Sequence, residues 1–258
     1  MKLNIKSNDL KLVTLSAGIL GLALRIALYA TGMDGRGLLI KNHWAAIALW
    51  LLTAAVIAAL LVFGRTITGP EKYADAYPVS FSAAMGCFAL TAGLAVTCVR
   101  EFSEFSTRLH LVIWVLGLLC AVAMGFVGVC RLLGKKPYFL LHAALCIYFA
   151  LRMVSQYRQW SADPFLLDYC FYLIAYVALM LSAYHHAAFD AEMGKHRALW
   201  FFSLASVYLC CLSWKGSRDS LLLLGSAVWA FTNLTTLTVR KRRIRPELKL
   251  DADDTPGE

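Results

Sequence analysis

Apolar residues in this chain gather into eight separated runs, and that segregation constrains the fold more than any motif does. The runs cover residues 12–30, 44–63, 79–99, 111–133, 138–157, 165–185, 198–214 and 220–239. At 1.5 Å per residue most of them reach across roughly 30 Å of hydrocarbon, and the seventh is the shortest. Lipid offers the backbone no hydrogen-bond partner, so such runs must satisfy themselves as helices. The sequence therefore predicts an all-α, polytopic transmembrane helical bundle of about eight helices, one unit over residues 1–240. Composition agrees: 60% of residues are hydrophobic and 16% charged, against roughly 45–50% and about 25% in soluble domains.

The six prolines, Pro70, Pro78, Pro137, Pro164, Pro246 and Pro256, all lie outside the runs. Pro137 and Pro164 suit a first helical turn, where a missing N–H costs nothing. The start of the chain, basic up to Lys11 and then apolar, imitates a signal peptide, but Arg25 and the lack of a small-x-small site predict an uncleaved first span. Ala17/Gly21 and Ala121/Gly125, each four apart, predict close helix approach. Gly194 reads as a helix stop.

With the N-terminus inside, sixteen Lys and Arg fall in cytoplasmic segments and seven in outer loops, which predicts both ends in the cytoplasm. The net charge of +9 is concentrated in the stretch Arg240-Lys-Arg-Arg-Ile-Arg245. Beside a membrane span, that stretch points to anionic lipid headgroups as partner and not to nucleic acid. Residues 241–258 form a basic and then acidic cytoplasmic tail with the composition of a disordered segment. All eight cysteines fall inside runs, which argues for packing residues and against a disulfide scaffold or a zinc site.

Ionisable groups inside a span are costly and so become the candidates for function. Arg25 lies about 20 Å along the first helix, Arg152 about 21 Å along the fifth, and Asp168 about 6 Å into the sixth, which runs the other way. All three therefore reach a similar depth near the outer surface, and an Arg152–Asp168 pair between antiparallel neighbours is expected. Tyr148, Arg152 and Gln156 recur four apart on one face, Asp168 and Tyr172 share another, and Tyr157 crowns the loop with Arg158, Trp160 and Asp163. One reading is an outward-facing cationic pocket for a small anionic ligand, lined by Arg25, Arg152, Gln156, Tyr157, Asp168 and Tyr172, because guanidinium groups suit carboxylate and phosphate. The other is an ion pair fixing helix register, with Arg25 reaching toward the headgroups.

A second polar group, Tyr184-His185-His186 through Asp190, Glu192 and His196, lies on the cytoplasmic side. His186 and Asp190 share a face and are weak metal candidates, with His142 a third ligand at most; a juxtamembrane polar turn is the plainer reading. The phosphate-binding loop, the nucleophile elbow and paired intramembrane aspartates are all lacking, so an enzyme is the less favoured reading and no cofactor is indicated.

Tyr157-Arg-Gln-Trp-Ser-Ala-Asp-Pro164, Asp168-Tyr169, Ala187-Ala-Phe-Asp190 and Gly194-Lys195 together resemble uncharacterised multi-span bacterial integral membrane proteins. The resemblance covers the fifth to seventh helices. It implies the plasma (inner) membrane of a bacterium and carries no activity. The leading functional expectation is a ligand-binding or transport-type protein using the outer cluster. Against transport stands the absence of any proline or glycine break inside a span, where many carriers bind substrate. The alternatives are a sensor or assembly subunit acting through a partner protein, and a metal-dependent membrane enzyme at His186 and Asp190.

Overall fold

The computed structural model describes residues 7–32, 40, 43–65, 67, 69–70, 73–102, 108–160, 166–213 and 219–237. The tail 241–258, the basic stretch 240–245, Asp163 and Pro164 lie outside the described residues. Those described form nine helices and no strand: α1 (Ser7–Thr31), α2 (Trp44–Gly64), α3 (Tyr73–Ala76), α4 (Phe81–Glu101), α5 (Arg108–Leu133), α6 (Phe139–Trp160), α7 (Leu166–Asp190), α8 (His196–Ser213) and α9 (Ser220–Thr236). Each apolar run coincides with one long helix. The short α3 was not anticipated, because four residues carry no readable period.

Six helices, α1, α2, α4, α5, α6 and α7, are long and apolar enough to cross a membrane, the mark of a multi-pass membrane protein. Helix α9 is shorter, at 17 residues, and α8 is less apolar. Both are deeply placed: α8 packs against α7, α9, α1 and α2, and thirteen of its eighteen residues are buried. A helix wrapped by protein needs less hydropathy than one facing lipid. By contrast α2 buries only Ala45, Leu49, Leu60 and Gly64 and lies at the periphery.

The tightest crossing joins α4 to α9. A Cβ on Gly93 would come within 2.8 Å of the Leu221 carbonyl oxygen, and one on Gly225 within 2.7 Å of that of Ala89. Backbones meet here as the small-residue rule demands, although neither glycine belongs to the pairs singled out from spacing. Of those pairs, Gly21 does sit hard against Leu212, whereas Gly125 has only Thr91 at 3.8 Å. Four-residue spacing is too common in an Ala- and Gly-rich chain to choose the true contacts.

Two helix stops lie side by side. Gly134 (φ 66°) ends α5, with the Lys135 N–H bonded to the Cys130 carbonyl at 2.9 Å. Glu192 (φ 62°) ends α7 in the same way, Met193 N–H to Ala188 O at 2.8 Å. The expected stop at Gly194 is thus two residues late: the left-handed residue is Glu192, which also meets Lys136 at 2.8 Å. Gly194 instead lies against the Phe189 ring.

Candidate functional site

At the end of the bundle where α4 and α6 finish and α7 and α9 begin, α6, α7 and α9 converge on one carboxylate and α4 is tied to it through Arg152. Asp219 occupies the N-cap position of α9, yet its side chain makes no capping bond. It is 1% exposed and accepts hydrogen bonds from Arg152 Nε (3.3 Å) and Nη2, Gln156 Nε2 (3.2 Å), the Tyr176 hydroxyl (2.9 Å) and the Tyr172 hydroxyl. The two phenols are also 3.2 Å apart. Arg152, 5% exposed, extends Nη1 to Glu101 at the end of α4. The positive N-terminus of α9 favours the same carboxylate.

The face expected from four-residue spacing on α6 therefore exists: Tyr148 is buried, and Arg152 and Gln156 bind the same acid. Tyr172 joins them, with Tyr176 one turn further along α7. Two expectations are redirected. Arg152 takes Asp219 and Glu101 as its acids; Asp168 lies in α7 with its side chain outside the described residues. Among the described residues no surplus of positive charge surrounds Arg152, because two carboxylates meet its one guanidinium. Tyr157 is 55% exposed, which fits an aromatic at the membrane interface. Arg25, 5% exposed, lies against Tyr29, with Nη2 3.3 Å from that hydroxyl, and 5.8 Å from the Phe171 ring centre.

Sequence reasoning missed Asp219, Tyr176 and Glu101. Asp219 reads as a helix cap in a short loop; the available signal was that Arg152 needs an acid at its own depth, and every helix ending at that surface could supply one.

The opposite end of the same helices carries the second polar cluster. His142 Nδ1 on α6 and Asp190 Oδ2 on α7 are 2.6 Å apart, with both side chains 1% exposed. His186 stacks on His142 with ring centres 5.4 Å apart, lies 4.8 Å from Trp229 of α9, and has Nδ1 3.2 Å from the Tyr77 hydroxyl. The plain polar turn expected here is instead a buried network. The shared face of His186 and Asp190 does not bring them together as two ligands, since Asp190 is engaged by His142. No group of three His, Cys, Asp or Glu side chains that could hold a metal gathers among the described residues. Burial pushes the Tyr73 phenol up to about 12, and the Tyr77 phenol higher still, against the opposing pull of the Arg131 cation.

No protein-family model, no curated protein and no solved structure matches the chain.

Proposed function

We propose that this chain is an eight-span protein of the bacterial plasma membrane, of ligand-binding or transport type, with both ends in the cytoplasm. In this reading the Arg152–Asp219 cluster is the outer closure of a path running between α4, α6, α7 and α9. The charge asymmetry of the loops supports the orientation, and the deep burial of α8 and α9 supports counting them among the spans. The basic stretch after α9 would then sit on anionic headgroups of the inner leaflet.

One observation carries the reading: the same helices bear buried polar groups at both ends with an apolar layer between. His142 and Arg152 on α6, Tyr176 and His186 on α7, and Asp219 and Trp229 on α9 are each ten residues apart, about 15 Å of helix. Leu145, Phe149, Leu179, Leu222 and Leu223 fill the middle. Buried ionisable groups inside spans mark ligand and ion pathways more often than they add stability. A small anion arriving from outside meets a guanidinium already held by two acids, so the cluster works as a closure and not as the seat of the ligand. No proline interrupts a described helix, so opening must swing whole helices apart, not bend one at a break.

Cys98, 2% exposed and one turn before Glu101 on α4, is a built-in reporter of that closure. In cells carrying Cys170→Ala, a membrane-impermeant maleimide should leave Cys98 unlabelled in the parent and label it in Asp219→Asn and Arg152→Gln. Cys87, buried nearer the other end of α4, should stay protected in all three, which separates opening from unfolding. Cys98 remaining unreactive in both inserted variants would refute the gate.

A further inference from the structure

Arg131, on the last turn of α5, is 3% exposed, and among the described residues none of its three guanidinium nitrogens makes a well-formed hydrogen bond, although the Tyr77 phenol lies close enough to interact with it. A buried cation without an acceptor is among the costliest arrangements a protein holds. It therefore calls for something that binds it. Two rings hold the guanidinium in place, with its carbon 3.8 Å from the centre of Tyr77 and 5.1 Å from that of Tyr73. Stacking engages the face of the guanidinium and leaves its in-plane N–H fork free for bidentate contact.

The groups around it are donors too. Tyr77 also touches His186, ring centres 6.2 Å apart, and its hydroxyl lies 3.2 Å from His186 Nδ1. The Tyr77 hydroxyl and Nδ1 share this one hydrogen bond, and in the tautomer in which the phenol donates, the ring proton sits on Nε2. Among the described residues that Nε2 is buried with no partner, as is Nε1–H of Trp229, whose ring is 4.8 Å from that of His186. The acid of the neighbourhood, Asp190, is engaged by His142. Unanswered donors thus collect at one place, where an acceptor is missing.

We infer that this cluster is a binding site for an oxyanion, a phosphate or carboxylate group, gripped by the Arg131 fork with the N–H groups of Trp229 and His186 beside it. It deepens the ligand-binding reading above, on which its physiological meaning rests, and places the ligand at the end opposite the Arg152–Asp219 closure. The oxyanion could belong to a free cytoplasmic solute or to a lipid headgroup, since Arg131 lies at the end of a span.

The test is thermal unfolding of the purified full chain in detergent, with inorganic phosphate, succinate, or phosphatidylglycerol added, against chloride at equal ionic strength and phosphatidylcholine as controls. The parent should gain a saturable upward shift in Tm with at least one of the three probes, because a ligand bound only to the folded state stabilises it. A shift with phosphate or succinate identifies a free oxyanion; a shift with phosphatidylglycerol alone identifies the headgroup. Arg131→Met should weaken the apparent affinity at least about tenfold while raising the ligand-free Tm, because it removes an unanswered buried charge. Trp229→Phe should weaken affinity without abolishing it. Absence of a shift with all three probes overturns the site, as does an undiminished response in Arg131→Met or a fall in its ligand-free Tm. None of these results alters the labelling of Cys98, so site and gate stand or fall separately.

Discussion

Replacing Asp219 by Asn keeps the volume at the convergence of α6, α7 and α9 but removes the charge. Five contacts depend on that carboxylate: two from the Arg152 guanidinium and one each from Gln156, Tyr172 and Tyr176. Removing one member of a buried ion pair costs about 3–5 kcal/mol, because the other charge stays buried and unanswered. Arg152 keeps Glu101, which places the loss near the lower end, at about 3 kcal/mol. Glu101→Gln should cost only about 1 kcal/mol, since that carboxylate is 24% exposed and partly screened. Unfolding by SDS in mixed micelles, followed by tryptophan fluorescence, gives the three stabilities. The double variant Arg152→Gln/Asp219→Asn should lose less than the sum of its parts, with a coupling of about 2 kcal/mol. A cost for Asp219→Asn below that of Glu101→Gln, or additive losses in the double variant, would show that the carboxylate does not organise the cluster.

Two further outcomes follow from the packing and from the inner rings. Gly93→Ala and Gly225→Ala should each cost about 2 kcal/mol in the same assay, because the new methyl meets a backbone carbonyl that cannot yield; Gly64→Ala, with nothing within 4 Å, should leave stability unchanged. Burial raises the Tyr73 phenol from 10.0 to about 12, so the folded state holds that proton more tightly than the unfolded one. Its contribution is complete below pH 10 and is lost as pH climbs toward 12. Thermal unfolding across that window should show the loss in the parent and a smaller one in Tyr73→Phe.

The fold was legible because the membrane imposes it: separated apolar runs have no other solution than helices, and each run coincides with one. What period and length could not supply was the partner of each charge. Arg152 and its face on α6 stood out by cost alone, but its acid came from α9, 67 residues away, through a contact between helices not joined by a loop. Neighbourhood in sequence suggested Asp168, and tertiary convergence supplied Asp219. The same limit hid Arg131, which, two residues from the end of its helix, reads as a positive charge at the membrane surface. Only packing reveals that its side chain turns inward among Tyr73, Tyr77 and the second polar cluster.

The two buried arginines, alike in sequence, are opposites in energy. Arg152 is surrounded by acceptors to the point that, among the described residues, Asp219 and Glu101 together outnumber its charge, so its guanidinium is answered within the protein. Arg131 has rings but no well-formed hydrogen bond among the described residues, and the buried nitrogens His186 Nε2 and Trp229 Nε1 near it are likewise without partners there. Stability alone would favour replacing such a residue with an apolar one, and the proposed oxyanion site gives that cost a purpose. In the proposed reading, the closed ion-pair network at one end of these helices is the sealed side of a path, and the buried polar nitrogens without partners at the other are where a ligand would bind.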